Sequence, residues 1–172
     1  MLLSKRFWLV LAGLLCSSSP ALAFERQWHL GGGGGVVLPP GDYSTGPAVG
    51  AHLAYGLSDV FDIRLELLGS RHTHDVTPTA TVLSGAAGIA YKLDIIEWVP
   101  YAGALAGYTW SDPDLPSDDG PHRSPTVGFI LGVDYGFSRS FGMGAAFRED
   151  LLLSGGGAQG AFLLRAEYRW GW

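Results

Sequence analysis

The chain has 172 residues, 47% of them apolar, 12% aromatic and 16% charged, with a formal charge of −5 at pH 7. An acidic balance in which Lys92 is the only lysine beyond the first residues excludes the broad basic surface that nucleic acid requires. Glycine is abundant at 26 residues, about twice the usual share, but so many aromatics exclude a disordered chain.

At the N-terminus, Lys5 and Arg6 precede an apolar run from Phe7 to Leu15, and Ala21-Leu22-Ala23 offers a small-residue cleavage site. Met1 to Ala23 therefore reads as a secretory signal peptide, removed before folding. Cys16, the sole cysteine, lies inside it, and Leu15 is larger than the residue that precedes an acylated lipoprotein cysteine, so the mature chain carries no thiol chemistry. The run is also too short for a membrane-crossing helix, which needs ~20 apolar residues. No later segment reaches that length unbroken, so residence in a bilayer has to be by strands.

From Gln27 onward the pattern has a period of two, the mark of strands with two unlike faces. Trp28, Leu30 and Val36 share one parity and His29 the other, across a run of glycines, Gly31 to Gly35, expected to make room for bulky side chains from across a narrow interior. A phosphate-cradling loop is excluded there, because no Gly-Lys-Ser/Thr follows. After the loop Pro39 to Asp42, Val49, Ala51, Leu53, Tyr55 and Leu57 alternate with Gly50, His52, Ala54 and Gly56. Ser58-Asp59 turns the chain, and Phe61, Ile63, Leu65 and Leu67 then oppose Asp62, Arg64 and Glu66.

Beyond a polar loop, His72 to Pro78, a fourth strand sets Leu83, Ala87, Ile89, Tyr91 and Leu93 against Ser84, Ala86, Ala90 and Lys92. After Asp94 to Pro100, the fifth runs from Tyr101 to Trp110 with Ala102, Ala104, Ala106, Tyr108 and Trp110 on one parity, although Tyr101 and Leu105 fall on the other. The longest loop, Ser111 to Ser124, precedes a sixth strand in which Val127, Phe129, Leu131, Val133, Tyr135 and Phe137 oppose Gly128, Gly132, Asp134 and Gly136. Ser138 to Ser140 turns into a seventh, with Phe141, Met143, Ala145 and Phe147 against Gly142, Gly144 and Arg148, and Ser154 to Gly157 loops back to the last.

That last stretch, Ala161 to Trp172, places Phe162, Leu164, Ala166, Tyr168, Trp170 and Trp172 on one face and Arg165, Glu167 and Arg169 on the other. A strand with an apolar face toward lipid and a charged face toward an enclosed lumen, ending on an aromatic, resembles the closing strand of the small outer-membrane β-barrel family (OmpA-like, OmpX-like and OmpW-like proteins). The resemblance implies an all-β fold: an eight-stranded, antiparallel, up-and-down transmembrane barrel over residues 24–172. It further implies that Phe162, Leu164, Tyr168, Trp170 and Trp172 form a C-terminal signal read by the outer-membrane assembly machinery.

An even strand count brings both termini to one side, the periplasm in such proteins, with short turns near Ser58, Glu97 and Arg139 on that side and longer loops near Pro40, His74, Asp114 and Gly156 outside. Trp28, Tyr55, Phe61, Tyr91, Trp98 and Phe141 then gather at one level with Trp170, as an interfacial girdle. The lumen would hold Asp62, Arg64, Glu66, Lys92, Asp94, Asp134, Arg148, Arg165, Glu167 and Arg169, charges of both signs able to pair, with Glu66 or Glu167 expected on lumenal arginines. Such a lumen reads as a polar plug; the alternatives are a narrow gated channel and a soluble secreted barrel that binds a small apolar ligand.

Glu66, Ser70 and His72 share a parity, but it points inward, away from lipid substrates, and the His-x-Ser pair of barrel deacylases is missing, so no enzyme activity is expected. Asp112, Asp114, Asp118 and Asp119 lack EF-hand spacing and, like His72, His74 and Asp75, read as solvated loop residues. No cofactor or metal is expected. The partners implied are outer-membrane lipid and lipopolysaccharide, the assembly machinery, and an unidentified surface contact of a monomer.

Overall fold

Strict alternation gives each strand one apolar and one polar face, and eight such strands can satisfy every backbone group only by closing on themselves. The computed structural model describes residues 26–40, 44–73, 79–93, 97–112, 123–154 and 157–171. The leader, Phe24, His74, Asp75, Asp94, Asp114, Asp118, Asp119, Gly156 and Trp172 lie outside the described residues.

The strands are β1 Trp28–Leu38, β2 Gly46–Gly56, β3 Phe61–His72, β4 Ala80–Lys92, β5 Trp98–Asp112, β6 Arg123–Gly136, β7 Phe141–Leu152 and β8 Ala158–Trp170. Each pairs antiparallel with the next, and β8 returns to β1 with Trp28 opposite Trp170 and Leu38 opposite Gly160, which closes the barrel.

Several strands run further than the alternation alone suggests. β2 takes in Pro47, β5 takes in Pro100 and β6 takes in Pro125. Each of these prolines stands within three residues of its strand's start, where a missing N–H costs little. Ser111, Asp112, Arg123 and Ser124, expected in the long loop, extend β5 and β6, since strand pairing continues past the apolar band.

Burial inverts the rule of a soluble fold. Leu164 is 71% exposed, Leu67 58% and Phe162 54%, whereas Arg64 and Arg148 are 2% exposed and Asp62 is fully buried. The apolar face thus looks outward all round the wall and the charged face inward, which removes the reading of a soluble barrel with an apolar ligand cavity. The uncertain parity of β5 resolves the same way: Tyr101 and Leu105 are buried inside, and Ala102, Ala104, Ala106, Tyr108 and Trp110 face out.

The glycines of β1 are needed for a different reason from the one expected. A Cβ on Gly33 or Gly35 would come within 2.1 or 1.8 Å of the carbonyl oxygens of Leu164 or Phe162 on the adjacent β8. The tight approach is between neighbouring backbones at the closing seam, where strong curvature requires a residue without a side chain. Gly31 does yield to a side chain, but it is His52 of neighbouring β2, whose Cε1 lies 2.2 Å from where a Cβ would stand.

Candidate functional site

The inner faces of the strands stack in three layers. At the end where β1 begins and β8 finishes, four cationic residues (Arg64, Lys92, Arg165, Arg169) and four acidic ones (Asp62, Glu66, Asp134, Glu167) are all buried. Asp62 and Arg64 stand two residues apart on β3 and so share its inner face, 3.4 Å apart, and Lys92 of β4 reaches Asp62 at 3.3 Å. Glu66 lies between Arg64 at 3.6 Å and Arg165 of β8 at 3.7 Å. Glu167 takes Arg169 on one oxygen, with His29 at 3.4 Å, and His52 on the other at 3.3 Å. Asp134 on β6 is packed against Gly144, where a Cβ would meet its Oδ1 at 2.1 Å.

Tyr101 joins this layer to the next. Its hydroxyl accepts a hydrogen bond from Arg165 Nη1 at 2.7 Å, and the Arg64 guanidinium lies 4.4 Å from its ring centroid, a cation–π distance. The ring lies against β6 because Gly132 leaves the space: a Cβ there would stand 2.3 Å from the phenol.

Above the charges comes an apolar layer that the alternation did not foretell. Val37, Ala48, Leu68, Ala161 and Leu163 form one cluster, and Ala86, Tyr101, Leu105, Ile130 and Ala146 form the other. Leu163 and Ala146 are register partners, so the clusters adjoin, and between them every strand contributes a residue. Inward-facing aliphatic side chains thus come from every strand, with Glu66 opposite Ala86 and Arg148 opposite Ile130 and Ala161 bordering them.

The third layer, beneath the loops, is polar again. Arg148 spans from β7 to β4, donating from Nε to Asp150 at 3.1 Å and from Nη2 to Asp150 and Ser84, each at 2.8 Å. Arg148 therefore belongs with Asp150 and Ser84 rather than with the other charges, and the charges expected to share one lumen divide between two levels. Ser70 and His72 also meet here: Ser70 Oγ is 2.8 Å from His72 Nε2, and His72 Nδ1 is 3.1 Å from the Ser44 carbonyl. This pair is sealed, with His72 fully buried and Ser70 6% exposed, and Glu66 turns instead to Arg64 and Arg165.

His29, His52, Asp150 and Ser84 were absent from the expected charge set, although parity alone places each of them inside. Among the described residues no group of three His, Cys, Asp or Glu side chains is arranged to hold a metal ion.

On the outer wall the aromatics at the termini end touch in series. Trp28 packs on Tyr55 at 4.7 Å and on Trp170 at 6.4 Å, Trp170 on Tyr168 at 6.0 Å, and Phe61 on Tyr91 at 5.3 Å. Trp98, Tyr135, Phe137 and Phe141 continue the belt at 5.0, 4.9 and 6.1 Å. Nearer the loops a second group appears that sequence reading missed: Phe129, Phe147 and Phe162 at 5.9 and 4.7 Å, and Tyr108 with Trp110 at 6.2 Å.

A closed antiparallel barrel with an apolar wall, aromatics toward both rims and an ionic interior defines a class, the β-barrel membrane proteins. Within it the assignment is specific: the family model for the outer membrane protein beta-barrel domain matches residues 8–169, and the chain belongs to that family. Its place is the bacterial outer membrane.

Solved structures agree on the fold. Neisserial surface protein A covers 83% of this chain and 95% of its own, with a TM-score of 0.67 at 15% identity. Ail, the attachment invasion locus protein of Yersinia pestis, covers 85% and 99% at a TM-score of 0.61 and 13% identity. OprG of Pseudomonas aeruginosa covers 86% and 97% at 0.59 and 14%. No curated protein matches this chain by sequence.

Proposed function

We propose that this protein is a non-conducting barrel whose work is structural or at the cell surface: it holds outer-membrane lipid around its wall and presents its loops to the outside. The observation that carries the reading is the apolar layer to which all eight strands contribute. Paired charges below it make a polar plug, and the layer itself interrupts any wetted path. The narrow-channel reading would require that layer to part. Against a catalytic role, the Ser70–His72 pair is sealed within the wall.

In this reading the termini and short turns face the periplasm, and residues 1–23 direct export through the general secretory pathway and are then cleaved. The belt of Trp28, Tyr55, Phe61, Tyr91, Trp98 and Phe141 lies at the periplasmic interface, and Phe162, Leu164, Tyr168, Trp170 and Trp172 form the surface read by the assembly machinery. Lipopolysaccharide contacts the outer half of the wall, and the barrel acts as a monomer.

The test is conductance in planar bilayers alongside fractionation and unheated gel mobility. The protein is expected in the outer-membrane fraction, migrating faster unheated, with no steps above the lipid baseline. Discrete openings would replace the plug with a pore.

A further inference from the structure

His52 places one ring nitrogen between two groups that make opposite demands on it. Its Nε2 lies 2.9 Å from Arg165 Nη2 and 3.3 Å from Glu167 Oε2. A guanidinium only donates, and an ionised carboxylate only accepts. A bare Nε2 therefore takes the Arg165 hydrogen bond and turns its lone pair toward Glu167. A protonated Nε2 donates to Glu167 and sets its own N–H against those of Arg165. The two bonds exclude each other, and the proton on Nε2 selects between them.

The fold clears the space that puts the ring there. Gly31 of β1 is the register partner of His52 on β2 and of Glu167 on β8. A Cβ on it would stand 2.2 Å from His52 Cε1 and 2.7 Å from Nε2. Without that side chain the buried imidazole reaches across β1 to both residues of β8. The shorter contact identifies the resting form: Arg165 donates, Nε2 is bare, and the neutral ring carries its proton on Nδ1. Charge balance agrees, because the four cationic and four acidic side chains of this layer cancel only while the histidines are neutral.

The surrounding groups allow the exchange. From β1, His29 Nδ1 lies 3.4 Å from Glu167 Oε1, the oxygen that Arg169 of β8 also takes, so Oε2 is the one left facing His52. From β3, Glu66 is the register partner of His52 and stands 3.6 Å from Arg64 and 3.7 Å from Arg165. Asp62 and Lys92 pair with each other in the same layer, which Asp134 of β6 completes. Arg165 also donates from Nη1 to the Tyr101 hydroxyl of β5 at 2.7 Å. Losing His52 thus frees one end of Arg165 without stranding its charge.

We propose that His52 is a proton-operated switch in the ionic layer: neutral, it holds Arg165, and on taking a proton at Nε2 it moves its hydrogen bond to Glu167 and releases Arg165 Nη2. Arg165 keeps Tyr101 and turns toward Glu66, and the layer then carries one positive charge more than it has carboxylates. The inference rests on reading this layer as a plug. Conductance at neutral pH tests the plug and protonation of the imidazole tests the switch, so each can fail alone.

The experiment is solid-state NMR of the whole mature barrel in phosphatidylcholine vesicles, with isotope-labelled histidine, arginine and glutamate, across the range of about pH 8 to 5 in which imidazoles change charge. At the upper end His52 is expected to carry a proton on Nδ1 only, with a through-space correlation from Nε2 to the Arg165 guanidinium. At the lower end both ring nitrogens should be protonated, that correlation should fall to background, and one to the Glu167 carboxylate should grow. The Arg165 guanidinium resonances should move over the same range in the native chain and in His29→Gln, and stay fixed in His52→Gln. A neutral ring with its proton on Nε2, a ring that stays neutral throughout, an Arg165 response that survives in His52→Gln, or one lost in His29→Gln would overturn the proposal.

Discussion

Replacing Leu164 with arginine tests the direction in which the wall faces. Leu164 stands on the outer face of β8 between Gly34 and Ala145, its register partners, and is 71% exposed. It lies six residues from Trp170, the aromatic at the termini end of the strand. At ~3.3 Å per residue and a tilt of ~40°, that is about 15 Å along the barrel axis, near the middle of an apolar band ~25 Å tall. Arginine at that depth costs about 2–4 kcal/mol. The same change at Tyr168, two residues from Trp170, falls near the interface and should cost no more than about 1 kcal/mol from depth.

Urea unfolding from lipid vesicles measures both, with Leu164→Ala as a control for lost apolar contact. In a soluble barrel Leu164 would already face water, and arginine there would shift stability by about 0.5 kcal/mol or less. A Leu164→Arg barrel as stable as the native one, or equal penalties at the two depths, would refute the orientation.

Three further outcomes follow from the interior and the seam. Glu167→Ala removes the buried carboxylate that His29, His52 and Arg169 share; a loss of about 3–5 kcal/mol is expected in the same unfolding assay. Gly35→Ala puts a Cβ into the Phe162 carbonyl and should open the β1–β8 seam, read as loss of the fast-migrating unheated gel band, whereas Gly34→Ala, whose Cβ meets nothing closer than 3.7 Å, should retain it. Tyr101→Ala removes an aromatic from the apolar layer where Gly132 has no side chain to fill the gap. It should cost about 3–5 kcal/mol and admit water to the layer, seen as hydrogen exchange or a leak in bilayers, while Tyr101→Phe, which keeps the ring, should stay sealed.

The facing of the wall was legible because a period of two is independent of everything except the strand itself. Asp62, Arg64 and Glu66 against Phe61, Ile63 and Leu65 needs no partner strand to be read. β5 was ambiguous because its outer face is alanine-rich while Tyr101 and Leu105 face inward, and an apolar layer inside a lumen breaks the expectation that lumen means polar. His29 and His52 had the right parity, but an imidazole carries no fixed charge near neutral pH, so parity marks them as inward without marking them as ionic.

Heights were not legible at all. Which residues share a layer depends on the stagger between strands, and alternation within one strand carries no information about it. That is why Arg148 was grouped with Arg165, although its partners are Asp150 and Ser84.

The order of the layers has a physical rationale that Tyr101 makes explicit. Buried charges are tolerable only when opposed and hydrogen-bonded, and a loose ionic cluster open to water would exchange those partners for solvent. An apolar lid prevents that on one side, but aliphatic side chains cannot satisfy the donors directly beneath them. Tyr101 serves both requirements: its ring belongs to the apolar cluster with Leu105 and Ile130, its hydroxyl accepts from Arg165, and its face receives Arg64. A residue amphipathic along its own length is what a boundary between an ionic and an aliphatic layer demands, and Gly132 on the neighbouring strand exists at the one place where that ring must lie flat against the wall.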